Sequence, residues 1–369
     1  MVQPLERILL IRPSALGDVC RSVPVLASLR AAHPQAQIDW LVRDDFAPAI
    51  AHHPALRSVV HFPRRRFARL WQPTIALEVM QFLRSLRLAR YDLVVDCQGL
   101  ARSGFFALST RASRRVGFAD ARELGGLGVN MRVRVPQHMH TVDRMLALVE
   151  AIGVEPVRDM RLVTPPESKA RLDERLRGSR FMVVAPTSRW PGKRWPAERF
   201  ADLVREALSS GAVDCVAVVG APGERAQCQP VIDIASHDER VIDLLGATNV
   251  GDLLAVIEVS AIVVANDSAA LHIAVGFDKP LVGLFGPTDV ALVGPYQRAQ
   301  DVLQKVSPGE VFNHKDERLG AKMMSRITTS QVWQAALDRL AATTQPTVRP
   351  AHTTDDSCTN GVTTIRAGS

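Results

Sequence analysis

The sequence predicts an α/β protein of two similar doubly wound domains, each a parallel sheet wrapped by helices. Three observations predict it. Short apolar runs such as ILLI at 8–11 and DLVVD at 92–96 read as strands buried on both faces, as the central strands of parallel sheets are. Helical patterns alternate with these runs, which calls for βαβ units with right-handed crossovers. The alternation stops at Glu155–Ser168 and then restarts, and 369 residues at roughly 150 per domain leave room for two domains. The expected domains are 1–165 and 166–342. A tail at 343–369, rich in Thr, Pro, Ser and Asp and without periodicity, is expected to be disordered.

Each element follows from its local pattern. In the first half, the run at 8–11 gives a strand, the loop RPSALG follows, and Asp18 opens a helical pattern through Val19, Val23, Leu26 and Leu29. QIDWLV at 37–42 is a second strand. Residues 67–89 read as one helix with an Arg-studded end (Arg84, Arg87, Arg90), and the strand at 92–96 leads into a helix from about Gly99. In the second half, strands are expected at 181–186, 213–220, 261–265 and 280–286, with helices at 197–209, 268–276 and near 329–342.

Composition narrows the function. Hydrophobic residues make up 47% and charged residues 22%, an ordinary globular balance that excludes a wholly disordered chain or a disulfide-stapled miniature. Two Tyr among 5% aromatics argue against a single-strand nucleic-acid platform. The five cysteines show no C-x-x-C spacing, so a reducing cytosol fits better than a disulfide framework or a zinc site. Ile8–Ile11 is too short for a signal peptide, and Glu258 breaks the long apolar region Leu253–Ala265, so a soluble chain is expected, one still able to touch a membrane surface. Residues 1–165 hold 23 Arg, no Lys and 14 acids, a balance of +9, while the rest of the chain stands at −2. Arg grips phosphate and carboxylate with two parallel hydrogen bonds, so the first half either meets an anionic partner or carries an Arg-rich solvated surface.

The loops after the expected strands carry the chemistry, because open α/β sheets bind ligands at the carboxyl ends of their strands. Asp18, after Arg12–Gly17, is either a helix N-cap or a carboxylate directed into a cleft. Thr187 to Arg194 pack two hydroxyls and three cations into eight positions, chemistry suited to a diphosphate, or else form a basic solvated loop. Ala265–His272 runs from a buried strand straight into a helix of small residues, whose start attracts phosphate; Asp267 and His272 there are ligand-facing, or an N-cap and a core histidine. Gly286–Asp289 places another turn on the same side of the sheet. Glu224 is either a ribose acceptor or an acid in a helix's first turn. Arg64, Arg65, Arg66 and Arg69 beside Phe67, Leu70 and Trp71 suit an anionic amphiphile at a membrane surface, or a solvated helix start. Asp96–Leu100 with Arg102 ends a further strand. No residue set has metal spacing, and no G-x-S-x-G elbow occurs.

Five ordered blocks, SALGDV at 14–19, YDLVVDCQGL at 91–100, GKRWPAERFADL at 192–203, NDSAALHIA at 266–274 and GLFGPTD at 283–289, resemble the heptosyltransferases of glycosyltransferase family 9. RRRFARLW at 64–71, ADARE at 119–123 and HTVDR at 140–144 resemble its heptosyltransferase I branch. The resemblance implies a GT-B architecture, two Rossmann-like domains facing across a cleft. It implies inverting transfer of heptose from ADP-heptose to an anionic Kdo-bearing lipid A acceptor, with no metal and no cofactor. By position in those blocks, Asp18 would be the general base and Lys193 the leaving-group cation. Thr187, Ser188, Glu224, Thr248, Asp267, Ser268, Ala269 and His272 would join Lys193 at the donor. Ser14, Arg64, Arg65, Arg66, Gln98, Arg102, Arg122 and His140 would hold the acceptor. The implied setting is the cytoplasm, with peripheral contact on the inner membrane and no nucleic acid. Arg102 stands where the family commonly has Lys, and Thr248 replaces a larger apolar residue. Two other readings remain: a GT-B enzyme with a different nucleotide sugar or acceptor, and a non-catalytic anionic-lipid binder on the same scaffold.

Overall fold

The structure is a computed structural model that describes residues 5–313, 315–344 and 363–366. The chain divides into two compact units, one running through Val163 and the other beginning at Thr164.

The first unit contains strands β1 (Arg7–Ile11), β2 (Gln37–Arg43), β3 (Ser58–Phe62), β4 (Leu93–Asp96), β5 (Arg114–Phe118) and β6 (Met131–Arg134). Its helices are α1 (Leu16–Arg21), α2 (Val23–Ala32), α3 (Arg64–Phe67), α4 (Pro73–Leu88), α5 (Ala101–Thr110) and α6 (Thr141–Glu150). The six strands are parallel in the order β6-β5-β4-β1-β2-β3. This is the doubly wound nucleotide-fold order, whose direction reverses between the first and fourth strands. Ile11 lies level with Asp96 and Leu41, so the loops leaving β1 and β4 start side by side at the reversal.

The second unit contains α7 (Pro166–Ala170), β7 (Phe181–Ala185), α8 (Ala197–Ser210), β8 (Cys215–Val218), α9 (Gln229–Ala235), β9 (Val241–Asp243) and α10 (Val250–Val259). It continues with β10 (Ile262–Asn266), α11 (Ala269–Gly276), β11 (Leu281–Phe285), α12 (Val290–Val293), β12 (Val302–Gln304), α13 (Glu317–Ser325) and α14 (Thr329–Thr344). Its sheet, β12-β11-β10-β7-β8-β9, is parallel throughout and repeats the same strand order. The reversal here falls between β7 and β10, where Ala185 pairs with Ala265. Every residue of β7, β10 and β11 is buried, because helices cover both faces.

Three expectations are corrected. Residues 67–89 are not one helix: α3 ends at Phe67, and Gln72, held extended ahead of Pro73, forces a fresh start for α4. The first helix starts at Leu16, ahead of Asp18, and breaks at Ser22 before Pro24. The irregular stretch expected to reach Ser168 gives way to α7 at Pro166. Most of the tail lies outside the described residues; within it Thr363–Arg366 forms β13, antiparallel to β6.

Candidate active site

In a parallel sheet all carboxyl ends share one edge. In the first unit that edge carries the loops after β1, β3, β4, β5 and β6, and with them Asp18, Ser14, Arg64, Arg65, Arg66, Gln98, Arg102, Arg122 and His140.

Asp18 is the third residue of α1, with Ala15 as the N-cap, so it is not the N-cap itself. One carboxylate oxygen accepts the Ala15 N–H at 3.2 Å and faces Arg12 Nη2 at 2.9 Å; the other accepts from Arg21. Burial acts to raise its pKa, but the guanidiniums of Arg12 and Arg21 outweigh that and hold the carboxyl well below the usual carboxylate range. A quarter of the side chain is still exposed, 24% against 9% for Arg12, so the ion pair is reachable from solvent.

The β4 loop supports this group. Arg12 also donates to the Cys97 carbonyl, and Gln98 Oε1 accepts the Ser14 N–H at 3.3 Å. Asp96, fully buried, accepts from Gln98 N at 2.9 Å, Gly99 N at 3.2 Å and Ser103 Oγ at 2.9 Å, while burial pushes its pKa up. Gly99 has φ +67°, a left-handed conformation that glycine adopts without strain, and its carbonyl accepts the Arg122 N–H at 2.9 Å. Arg102 lies over the Phe62 ring at 5.5 Å. Arg64 and Arg65 are exposed, and Arg66 is ion-paired with Glu78. His140 caps α6, its Nδ1 accepting the Val142 N–H at 3.2 Å.

In the second unit the loops after β7, β8, β9, β10 and β11 share the corresponding edge. At the reversal Lys193 Nζ lies 2.6 Å from Asp267 Oδ2, with side-chain exposures of only 14% and 9%. Thr187 and Ser188 of the same loop are buried, and Ser188 Oγ reaches the Asp267 carbonyl at 3.5 Å. Asn266, wholly buried at the end of β10, clamps the loop at two points. Its Nδ2 donates to the Pro186 carbonyl at 2.7 Å, and its Oδ1 accepts the Trp195 N–H at 3.0 Å. Gly192 touches Gly320 of α13, where a Cβ would lie 2.3 Å from the Gly192 carbonyl oxygen.

Ser268 is the N-cap of α11 but its hydroxyl makes no capping bond; that hydroxyl and Thr288 Oγ1 are buried with no hydrogen-bond partner among the described residues. The Thr288 turn is fixed by Gln304 Nε2, which donates to the carbonyls of Gly286 at 2.8 Å and Thr288 at 2.7 Å. Ala269 opens α11 and His272 is buried within it.

Glu224 and Thr248 lie on neighbouring loops. Glu224 Oε2 accepts the Ala221 N–H at 2.9 Å, as an acid in a helical first turn does. Thr248 lines a cavity of about 260 Å³ together with Ser168, Arg171, Leu172 and Leu244, and none of the other expected donor residues lines it. Arg12, Arg21, Asn266 and Thr288 have no role assigned by the sequence pattern. Arg21 had a visible signal, one helical turn after Asp18, and Asn266 a weaker one, a polar residue closing an otherwise apolar strand. Among the described residues no group of three His, Cys, Asp or Glu side chains is arranged to hold a metal.

The model of glycosyltransferase family 9 (heptosyltransferase) matches residues 79–319, more than half of the chain. The chain is 29% identical over 303 residues to lipopolysaccharide heptosyltransferase 1 of Pseudomonas aeruginosa, covering 80% of this chain and 82% of that protein. It is 27% identical over 306 residues to the Escherichia coli K12 protein of the same name, covering 80% and 92%. In fold it is similar to E. coli heptosyltransferase WaaC solved with ADP, with a TM-score of 0.73, 23% identity and 90% and 99% of the two chains covered.

Proposed function

The chain belongs to glycosyltransferase family 9, the heptosyltransferases, and has the GT-B fold of two Rossmann-like domains; from that premise we propose that it moves L-glycero-D-manno-heptose from ADP-heptose to a Kdo-bearing lipid A acceptor with inversion. The observation that carries this reading is the chemistry at the two strand-order reversals. One presents an ionised carboxylate, Asp18, among arginines. The other presents an ammonium, Lys193, beside buried hydroxyls and a helix start.

In the proposed step an acceptor hydroxyl oxygen attacks the anomeric carbon. The bond from that carbon to the β-phosphate oxygen breaks, its electron pair leaves with ADP, and the hydroxyl proton passes to Asp18. Because its arginines keep Asp18 ionised, the base is always available. Its low proton affinity delays the transfer until bond formation has acidified the hydroxyl, as an oxocarbenium-like transition state allows.

Lys193 would neutralise the departing diphosphate, aided by Thr187, Ser188 and the amides at Ser268 and Ala269, in place of a metal. To do so it must exchange Asp267 for phosphate, which frees the Asp267 carboxylate for a heptose hydroxyl; His272 lies in the same helix. Glu224 would take the ribose and Thr248 the adenine. Ser14, Arg64, Arg65, Arg66, Gln98, Arg102, Arg122 and His140 would meet the acceptor's carboxylates and phosphates. The reaction is placed in the cytoplasm, with the protein peripheral on the inner membrane. Among the described residues no helix is long and apolar enough to cross it.

The test is a turnover screen of ADP-, GDP- and UDP-heptose against Kdo-bearing lipid A. ADP release from ADP-heptose alone is expected; no nucleotide release from any of them overturns the reading. Lys193→Ala is expected to weaken ADP binding about tenfold or more, as loss of a charge-assisted contact does, and to slow turnover as well. Unchanged ADP affinity moves the diphosphate site elsewhere.

A further inference from the structure

Among the described residues the first unit exposes nine large apolar side chains, all of them on helical pieces and their turns that pack on one another. These pieces are the turn between α3 and α4, then α4, α5, and the short helical turn Gly125–Gly128 with Leu124 that caps it. Trp71, at 76% exposure, is the most exposed Trp of the chain's described residues.

The fold does not need these side chains. The inward side of the same helices is already filled: Phe62, Phe67, Phe82 and Phe106 form a closed ring of edge-to-face contacts with centroids 5.1–6.0 Å apart. Ile75 and Leu86 of α4 are buried beneath. On the outward side Leu77, Met80, Arg84 and Leu88 follow helical spacing, so they form one exposed stripe, and Phe105 and Leu108 repeat the arrangement on the adjoining α5.

Charge selects what covers this face. Residues 63–90 hold seven Arg and a single acid, Glu78, which is already ion-paired with Arg66. Apolar side chains with an interfacial Trp, mixed with arginines in large excess over the one paired acid, match the boundary of an anionic bilayer, where aliphatic groups enter among the headgroups and arginines pair with phosphates. The face starts at the sheet edge that carries Arg64, Arg65 and Arg102, since α4 and α5 both leave from that edge.

We propose that the outward face of α4 and α5, with the Leu70–Trp71 turn, docks on an anionic phospholipid surface. The choice of lipid rests in part on the lipid-linked acceptor proposed above. Docking would bring a membrane-held headgroup to the arginines at the sheet edge without any spanning helix.

The test uses the full chain with vesicles of phosphatidylcholine, alone or mixed with phosphatidylglycerol. The protein is expected to sediment with the mixed vesicles and not with phosphatidylcholine alone. Trp emission should shift to the blue on binding, a shift lost in Trp71→Phe. The double variant Leu77→Gln/Met80→Gln should lose about tenfold or more of its vesicle affinity, as removal of two buried apolar anchors implies. It should keep its melting temperature and its rate with a water-soluble acceptor. Equal sedimentation of the variant and parent chains overturns the proposal. So does indifference to phosphatidylglycerol, or a concentration-dependent dimer that the double variant abolishes. A protein that binds vesicles but releases no ADP leaves this surface standing and removes the heptosyl-transfer reading instead.

Discussion

Asp18 shows how a side chain's neighbours set its task. A carboxylate at the mouth of a strand-order reversal is a base only if it is ionised and reachable, and the flanking Arg12 and Arg21 secure the first condition. Asp18→Ala is expected to cut turnover by roughly two to four orders of magnitude, the range for a lost general base, with ADP affinity unchanged; near-normal turnover would remove the role. The pH dependence has a definite sign. A carboxyl whose folded pKa is depressed contributes stability above its unfolded value, about 4, and loses it only as pH falls through the lower folded value. The wild-type acid limb due to Asp18 therefore lies below the ordinary carboxylate range. Arg21→Gln removes one of the two cations, so the limb should move up toward that range in a pH profile of kcat/KM. An unmoved limb would show that Asp18 is not the titrating group. The Arg12 contact was not legible beforehand, because the loop brings together residues six apart and no periodicity reports it.

At the level of elements, legibility followed burial. Strands β1, β4, β7, β10 and β11 are central and apolar, so they stand out as short hydrophobic runs, and the loops that leave their carboxyl ends could be located from the sequence. Strands β3, β5 and β6 lie toward the sheet edge or carry arginines, as in RRVGF and MRVR, and a half-exposed charged strand looks like a loop. Long-range ties such as Asn266 to Pro186 and Trp195 cannot be read from spacing at all. One such tie is testable. A methyl group at Gly320 would lie 2.3 Å from the Gly192 carbonyl oxygen, one residue before Lys193. Gly320→Ala should cost about 1–3 kcal/mol of stability by overpacking and should also weaken ADP binding by displacing Lys193. Measured by urea unfolding and calorimetric titration with ADP, a loss of stability with intact affinity would separate α13 from the Lys193 loop.

The charge of the whole molecule is divided along the chain, with the excess of arginine confined to the first 165 residues and the remainder close to neutral. That division has a kinetic consequence if the first unit takes an anionic acceptor and the second holds the donor through the recessed Lys193. Exposed arginines attract at long range, and salt screens that attraction over about 10 Å at 0.1 M and about 3 Å at 1 M. A contact recessed beside Asp267, at 14% exposure, is screened much less. Raising salt across that range should therefore raise KM for a water-soluble Kdo acceptor several-fold while KM for ADP-heptose changes by about twofold or less. Steady-state kinetics with each substrate varied in turn measures both. If the two constants rise together, the arginine-rich half is not the acceptor side and its charge serves only as a solvated surface.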